Sequence, residues 1–256
     1  MARIKMINRK GSKACRAIRE ECGIYMYKGK SKYMPDVLLN WGSSGDKLRK
    51  FYSRYPSARK IPTINKDVGI SKLRAVNVAK DHEILVPDSK LTLNKQEKKS
   101  HFIEKRINSI GGKGICSARG KQRITGKYYQ EFIKNRIYEV RVHAFKWCDA
   151  HVQKRYGKKD EIAWNFSNGG RFQTVHNPEA YSVFVRAVDT SKKILDIFGM
   201  GFGAVDFLVD ADYNLYFIEI NSAPGFQALS KDIYINAFNK LKEMTPKQIN
   251  KLGCLS

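Results

Sequence analysis

The chain has 256 residues, 42% hydrophobic and 28% charged, a balance that supports a packed core and argues against disorder. No apolar run reaches the roughly 18 residues of a membrane helix, and basic Met1 to Lys13 lacks the apolar segment of a secretory signal. Net charge is +24 and uneven: 31 Lys and Arg face 10 Asp and Glu in residues 1–128, but 17 face 14 in residues 129–256.

Such a field attracts polyanions, whether a nucleotide, an acidic protein, a ribosome or nucleic acid. A solvated basic surface serving solubility is the plainer reading of the same charge. The five cysteines are odd in number and match neither a zinc knuckle nor a C-x-x-C pair, so reduced thiols and a cytoplasmic setting are expected.

In chain order, Ser12 to Glu21 reads as a helix with Ala14, Ala17 and Ile18 on one face. Val37 to Trp41 reads as a strand ended by the loop Gly42-Ser43-Ser44-Gly45. A helix is expected near Ser71 to Lys80, then strands at Glu83 to Pro87 and His101 to Ile107. Gly111, Gly112 and Gly114 follow, the composition of a loop whose backbone N–H groups can reach an anion. Tyr138 to Trp147 and His151 to Tyr156 read as a hairpin, and Pro178 to Phe198 as a helix with apolar residues at helical intervals. Gly203 to Val209 and Leu215 to Asn221 are two strands about the turn Asp210 to Asn214, followed by a helix over Ser230 to Lys242.

The chemistry concentrates in those last two strands. Strand alternation puts Glu219 and Asn221 on one face, and a tight turn would bring Asp206 beside them. Two carboxylates and an amide oxygen are the hard ligands that magnesium prefers, completed by phosphate oxygens and water. Both carboxylates lie within apolar runs, where a charge needs a cation or a donor.

The run Gly203-Ala204-Val205-Asp206-Phe207, then Phe217-Ile218-Glu219-Ile220-Asn221-Ser222-Ala223-Pro224-Gly225, resembles the metal-binding segment of ATP-grasp enzymes, the RimK-type ligases in particular. The resemblance spans about residues 61–235 and implies an α+β fold: two lobes sandwiching ATP, preceded by a small basic α/β region. Boundaries are expected at 1–60, 61–128 and 129–256. It gives Asp206, Glu219 and Asn221 to two magnesium ions, with manganese as a substitute. Lys105, with Arg106 one register away, resembles the strand lysine on the nucleotide phosphates, which Gly111, Gly112, Lys113 and Gly114 would cover. Glu131 and the backbone of Phe132 and Ile133 would read adenine. Glu139 would take the ribose, a Glu where the family has Asp, and Arg141 the transferring group. Lys154 and Arg155 resemble the basic pair at the γ-phosphate, and Asn165 opens the family's Asn-x-x-x-Gly-Gly loop with Trp164 where Arg is usual.

The family's chemistry has a carboxylate take the γ-phosphoryl group, giving an acyl-phosphate and ADP, before an amine displaces phosphate. The resemblance thus implies an ADP-forming carboxylate–amine ligase, with both the carboxylate substrate and the amine acceptor unidentified. Two rivals stay open: a nucleic-acid-binding protein with a vestigial ATP site, and an ATP-grasp kinase. No G-x-S-x-G or Walker A pattern is present to support other chemistry.

Overall fold

The computed structural model describes residues 1–8, 13–29, 33–43, 45–68, 70–107, 114–157, 162, 164, 169–226 and 230–253. The chain opens with β1 (Ile4–Asn8), α1 (Lys13–Cys22), β2 (Val37–Trp41), α2 (Asp46–Arg54) and β3 (Thr63–Ile64), whose strands form a parallel sheet in that order. Parallel strands are covered on both faces and read as unbroken apolar runs; all five residues of β2 are buried. Val37, Leu39 and Trp41 face α1, while Leu38 faces Leu48 and Tyr52 of α2. Two of these elements carry no clear signal in the sequence. β1 is short and interrupted by Lys5, and α2 buries only Leu48 and Tyr52 among charged residues.

Next come α3 (Lys72–Asp81) and a four-stranded sheet of β4 (Ser89–Lys90), β5 (Phe102–Arg106), β6 (Cys116–Ser117) and β7 (Lys127–Glu131), in the order β4-β7-β5-β6. The expected strand at Glu83 to Pro87 is not one. The segment offers the Leu85 carbonyl to Phe217 N–H at 2.8 Å and joins no sheet. Pro87 has no N–H for a ladder, and Leu85 is 48% exposed.

The largest sheet is β8 (Arg136–Phe145), β9 (His151–Tyr156), β10 (Arg171–Thr174), β11 (Phe202–Asp210) and β12 (Leu215–Asn221), antiparallel throughout in the order β10-β9-β8-β11-β12. α4 (Ser182–Ile197) and α3 cover one face, packing Phe184, Ala187, Ile194, Ala75 and Ala79 on Val140, Val142, Val205 and Phe207. The stretch before α4 that the periodicity assigned to the same helix is a separate turn at Pro178–Ala180. α5 (Ser230–Glu243) and α6 (Pro246–Asn250) close the described chain, and α5 returns to the N-terminal sheet. Its Tyr234 and Phe238 stand edge-on to Trp41, whose other face stacks on Phe202 at 5.5 Å.

Asn65 ties the N-terminal sheet to the large one. Its Nδ2 donates to Phe202 O at 2.9 Å, its Oδ1 accepts from Gly201 N at 2.8 Å, and its own carbonyl accepts from Asn40 Nδ2 at 2.8 Å. The residue is buried with φ 59°, a conformation that asparagine tolerates better than most side chains. Gly42 makes a second tie. Its φ is 69°, and a Cβ there would lie 2.5 Å from Cβ of Ala223, just beyond β12. The loop after β2 therefore abuts the end of the strand that carries Glu219. Among the described residues, no helix is long and apolar enough to cross a membrane.

Candidate active site

Strand register assembles the polar face of the large sheet. Asp206 of β11 lies opposite Glu219 of β12 on one side and opposite Arg141 of β8 on the other. Directly opposed side chains share a face with Cβ atoms about 5 Å apart. Two carboxylates and a guanidinium thus meet in one row. One step along, Glu139 lies opposite Arg155 of β9.

β12 reaches this arrangement only through a bulge. Asp206 pairs with Glu219 but Phe207 pairs with Phe217, leaving Ile218 as an extra residue. In a regular strand residues 217 and 219 would share a face. The bulge lets Leu215 and Phe217 enter the core while Glu219 and Asn221 turn to the polar side.

Each carboxylate of this face meets a cation. Arg141 clamps Asp206 with two hydrogen bonds, Nε to Oδ1 at 2.6 Å and Nη2 to Oδ2 at 2.7 Å. Burial alone would raise the Asp206 pKa, but the charge and hydrogen bonds of Arg141 outweigh it and hold the carboxyl below its ordinary range. Arg155 donates from Nη1 to Glu139 Oε2 at 2.7 Å, and its Nη2 lies 3.7 Å from Asp206 Oδ2. Arg136 lies 3.8 Å from the other oxygen of Glu139. Lys72 pairs with Glu219 at 2.7 Å.

The small sheet brings a further cation, Lys105, within electrostatic reach of this row. Lys105, opposite Tyr128 in register, donates to Gln130 Oε1 at 2.8 Å, and Gln130 donates on to Ser89 Oγ at 3.1 Å. Lys105 is buried, and burial lowers its pKa to about 8 against the opposing pull of Glu219, Glu139 and Asp206. Of the two adjacent cations on β5, Lys105 points inward and Arg106 is exposed. The buried Tyr128 hydroxyl has no partner among the described residues.

These residues fit a nucleotide with a divalent ion. The carboxylates are adjacent, the cations suit phosphate oxygens, and a buried hydroxyl lacks an acceptor. No group of three or more His, Cys, Asp and Glu that could hold a metal occurs among the described residues. An ion here would take Asp206, Glu219 and the Asn221 amide oxygen, then phosphate and water. Asn221 is exposed, opposite Ala204, whose small side chain leaves room beside it.

Other expected site residues fall differently. Lys154 lies opposite Val140 on the helix-covered face, its Nζ 4.4 Å from the Tyr138 ring and 5.2 Å from that of Phe184. Strand alternation makes Lys154 and Arg155 point to opposite sides, so of the two only Arg155 shares the face of Glu139 and Asp206. Glu131 Oε2 accepts from Asp88 N at 3.2 Å, and the Phe132 N–H is given to His101 O at 2.8 Å, which leaves that N–H no capacity to read a base. The next residue, Ile133, is buried. Both oxygens of Glu139 face guanidiniums rather than open space. Gly114 has φ 78°, while Gly111, Gly112, Lys113 and Asn165 lie outside the described residues.

Lys72 was not signalled as a site residue, although its place had a cue. Ser71 is the N-cap of α3, its Oγ accepting from Arg74 N at 3.3 Å, so the next residue sits on the first turn. Ser71→Ala should cost about 1 kcal/mol. A melting scan would read this as a fall of roughly 2–4 °C.

With this geometry in place, the comparisons with known proteins identify the class. Residues 70–225 match the family model of the ATP-grasp domain, and the chain belongs to that family. Its fold is similar to that of the ATP-grasp ligase PsnB complexed with minimal precursor (TM-score 0.62, 12% identity, 93% of this chain and 99% of that one). It is also similar to the macrocyclase MdnC bound with precursor peptide MdnA, from Microcystis aeruginosa MRC (TM-score 0.58, 10% identity, 94% and 99%). D-alanine–D-alanine ligase from Bacillus anthracis, complexed with ATP, gives TM-score 0.62 at 14% identity over 97% of both chains. At such identities the likeness establishes the α+β ATP-grasp fold. No curated protein matches the sequence.

Proposed function

We propose that the chain is an ADP-forming ATP-grasp ligase of the RimK-type branch, joining a carboxylate to an amine through an acyl-phosphate. The observation that carries this reading is the row Glu219–Asp206–Arg141, with Lys105 of the small sheet within electrostatic reach. ATP would lie between the sheets, its phosphates toward Lys105 and Lys72. Magnesium held by Asp206, Glu219 and Asn221 would supply Lewis acidity to the phosphate oxygens. Arg141 and Arg155 stabilise negative charge that develops as the carboxylate oxygen bonds to the γ-phosphorus and ADP leaves. The amine nitrogen then bonds to the acyl carbon, inorganic phosphate leaves, and the amine proton goes to solvent. A closed cleft excludes water that would hydrolyse the acyl-phosphate.

Peptides lead among substrates, because MdnC is bound with a precursor peptide, and PsnB is seen complexed with precursor peptide PsnA2 and AMPPNP. The charge supports an acidic one. On the small sheet's outer side Lys95, Lys98, Lys99 and Arg119 are all exposed, with Lys121 bonded to Lys95 O at 2.6 Å. A ribosome or nucleic acid would meet the same charge.

The test is ADP release, with hydroxylamine present to trap any acyl-phosphate, against a panel of amino acids and acidic peptides. One addition should stimulate release and give a hydroxamate together with inorganic phosphate. Phosphate transferred to a hydroxyl with no hydroxamate would establish a kinase. Polyanion binding without any ADP release would establish the vestigial reading.

A further inference from the structure

The row that carries the carboxylates continues past Arg141. Gln153 of β9 lies opposite Arg141, and Thr174 of the edge strand β10 lies opposite Gln153. With strands about 4.8 Å apart, the backbone of Gln153 is about 10 Å from that of Asp206. This side of the site holds donors that lack acceptors. The Thr174 hydroxyl and the Arg155 Nε are buried, with no partner among the described residues.

Gln153, only 4% exposed, is held in one orientation by a neighbour on the same face of β8. His143 Nε2 lies 3.0 Å from Gln153 Oε1, and His143 Nδ1 lies 3.2 Å from the Tyr234 hydroxyl. Burial lowers the His143 pKa to about 4, so the ring is neutral and carries one N–H. The amide oxygen can only accept, which puts that N–H on Nε2 and makes Nδ1 the acceptor for Tyr234. The imidazole thus occupies the oxygen of the amide and leaves its NH₂ for something else. No acceptor for that NH₂ occurs among the described residues.

Two kinds of donor side chain and a guanidinium N–H, adjacent and unmatched, call for a ligand that accepts without donating. The nearby carboxylates cannot serve, since Asp206 and Glu139 are already held by Arg141 and Arg155. We propose that Gln153, Thr174 and Arg155 Nε form the seat of the substrate carboxylate, with His143 and Tyr234 as positioning residues that fix the Gln153 amide. This inference rests on the ligase reading, for it names where that reaction holds its acid. The seat lies on the far side of Arg141 from the Asp206–Glu219 pair, so Arg141 would border both the carboxylate and the phosphates that an ion there would hold, leaving the acid oxygen free to reach the γ-phosphorus.

The experiment uses the full chain loaded with Mg-ADP and acetate as the probe, its binding followed by ¹³C line broadening. Wild type should bind acetate, with affinity flat from about pH 6 to 8, above the carboxylate range. Gln153→Leu and Thr174→Val should each weaken acetate at least about tenfold, the loss of a hydrogen bond to a charged group, with Mg-ADP affinity unchanged within about twofold. Gln153→Glu keeps the shape, and should bind acetate progressively less as pH rises through the carboxylate range. Tyr234→Phe should weaken acetate without touching Mg-ADP, and ¹⁵N spectra of wild type should show the Nε2–H tautomer of His143. Wild type that binds Mg-ADP but not acetate, or equal acetate binding by Gln153→Leu, overturns the seat alone. A parallel fall in Mg-ADP affinity would give these donors to the nucleotide instead. Wild type that fails to bind Mg-ADP would bring down the ligase reading and the seat with it.

Discussion

Glu219→Ala should lower magnesium-dependent ATP turnover by about 10³-fold, the several kcal/mol that a metal contributes to charge stabilisation. The same variant should stay folded. The Glu219 side chain is 21% exposed and its partner Lys72 is 17% exposed, so each reaches water when the other is removed. Asp206 gives a less clean test. Its side chain is 8% exposed and clamped by Arg141, and removing it strips that part-buried guanidinium of both its hydrogen bonds, at a cost of about 1.5–3 kcal/mol. Loss of activity in Asp206→Ala would therefore mix metal loss with unfolding. A coupled assay for ADP beside a melting scan separates the two. Turnover by Glu219→Ala within tenfold of wild type, at unchanged melting temperature, would remove the carboxylate from the metal site. Deleting Ile218 offers an independent check. With Ile218 removed, Phe217 and Glu219 become neighbours, and a regular strand sends neighbours to opposite faces, so this deletion should be tolerated, with Phe217 still in the core and turnover kept.

That bulge marks where sequence reading stops. Asp206 and Glu219 stand out because carboxylates inside apolar runs require partners, and the turn at Asp210 to Asn214 predicts that their strands pair. Alternation also gives Glu219 and Asn221 a common face. It wrongly gives Phe217 the same face, since one extra apolar residue within an apolar run has no local signature. Lys154 shows the reverse case. Two adjacent basic residues must point opposite ways in a strand, and only the helix packed on one side decides that Lys154 meets aromatic rings while Arg155 meets Glu139. Lys72 joins Glu219 from 147 positions away, a distance no window of sequence spans. The long elements were legible because their periodicity is strong, as in α4 and β11. The short β1, β3, β4 and β10 were not, because two to five residues carry too little pattern and owe their form to the strand beside them.

Lys105 should make nucleotide binding depend on pH in a direction its environment fixes. Burial lowers its pKa from 10.5 to about 8, so the unfolded chain holds the proton more tightly than the folded one. Between about pH 8 and 10.5 this group therefore makes stability rise with pH, and below about pH 8 it contributes no slope. Nucleotide reverses the balance locally. Phosphate oxygens favour the ammonium and raise its pKa again, so binding above about pH 8 must take up a proton. Mg-ADP affinity should then fall up to about tenfold per pH unit above that point, and stay level below it. Calorimetry in two buffers of different ionisation heat reads the proton directly: near one taken up at pH 9, near none at pH 7, each by linkage to this one group. Lys105→Met removes both the charge and the proton. It should weaken Mg-ADP by about 10²-fold at pH 7, the worth of a charged hydrogen bond, and by progressively less as pH rises. Equal proton uptake at pH 9 by Lys105→Met and wild type would mean that another group titrates, and that Lys105 does not face the phosphates.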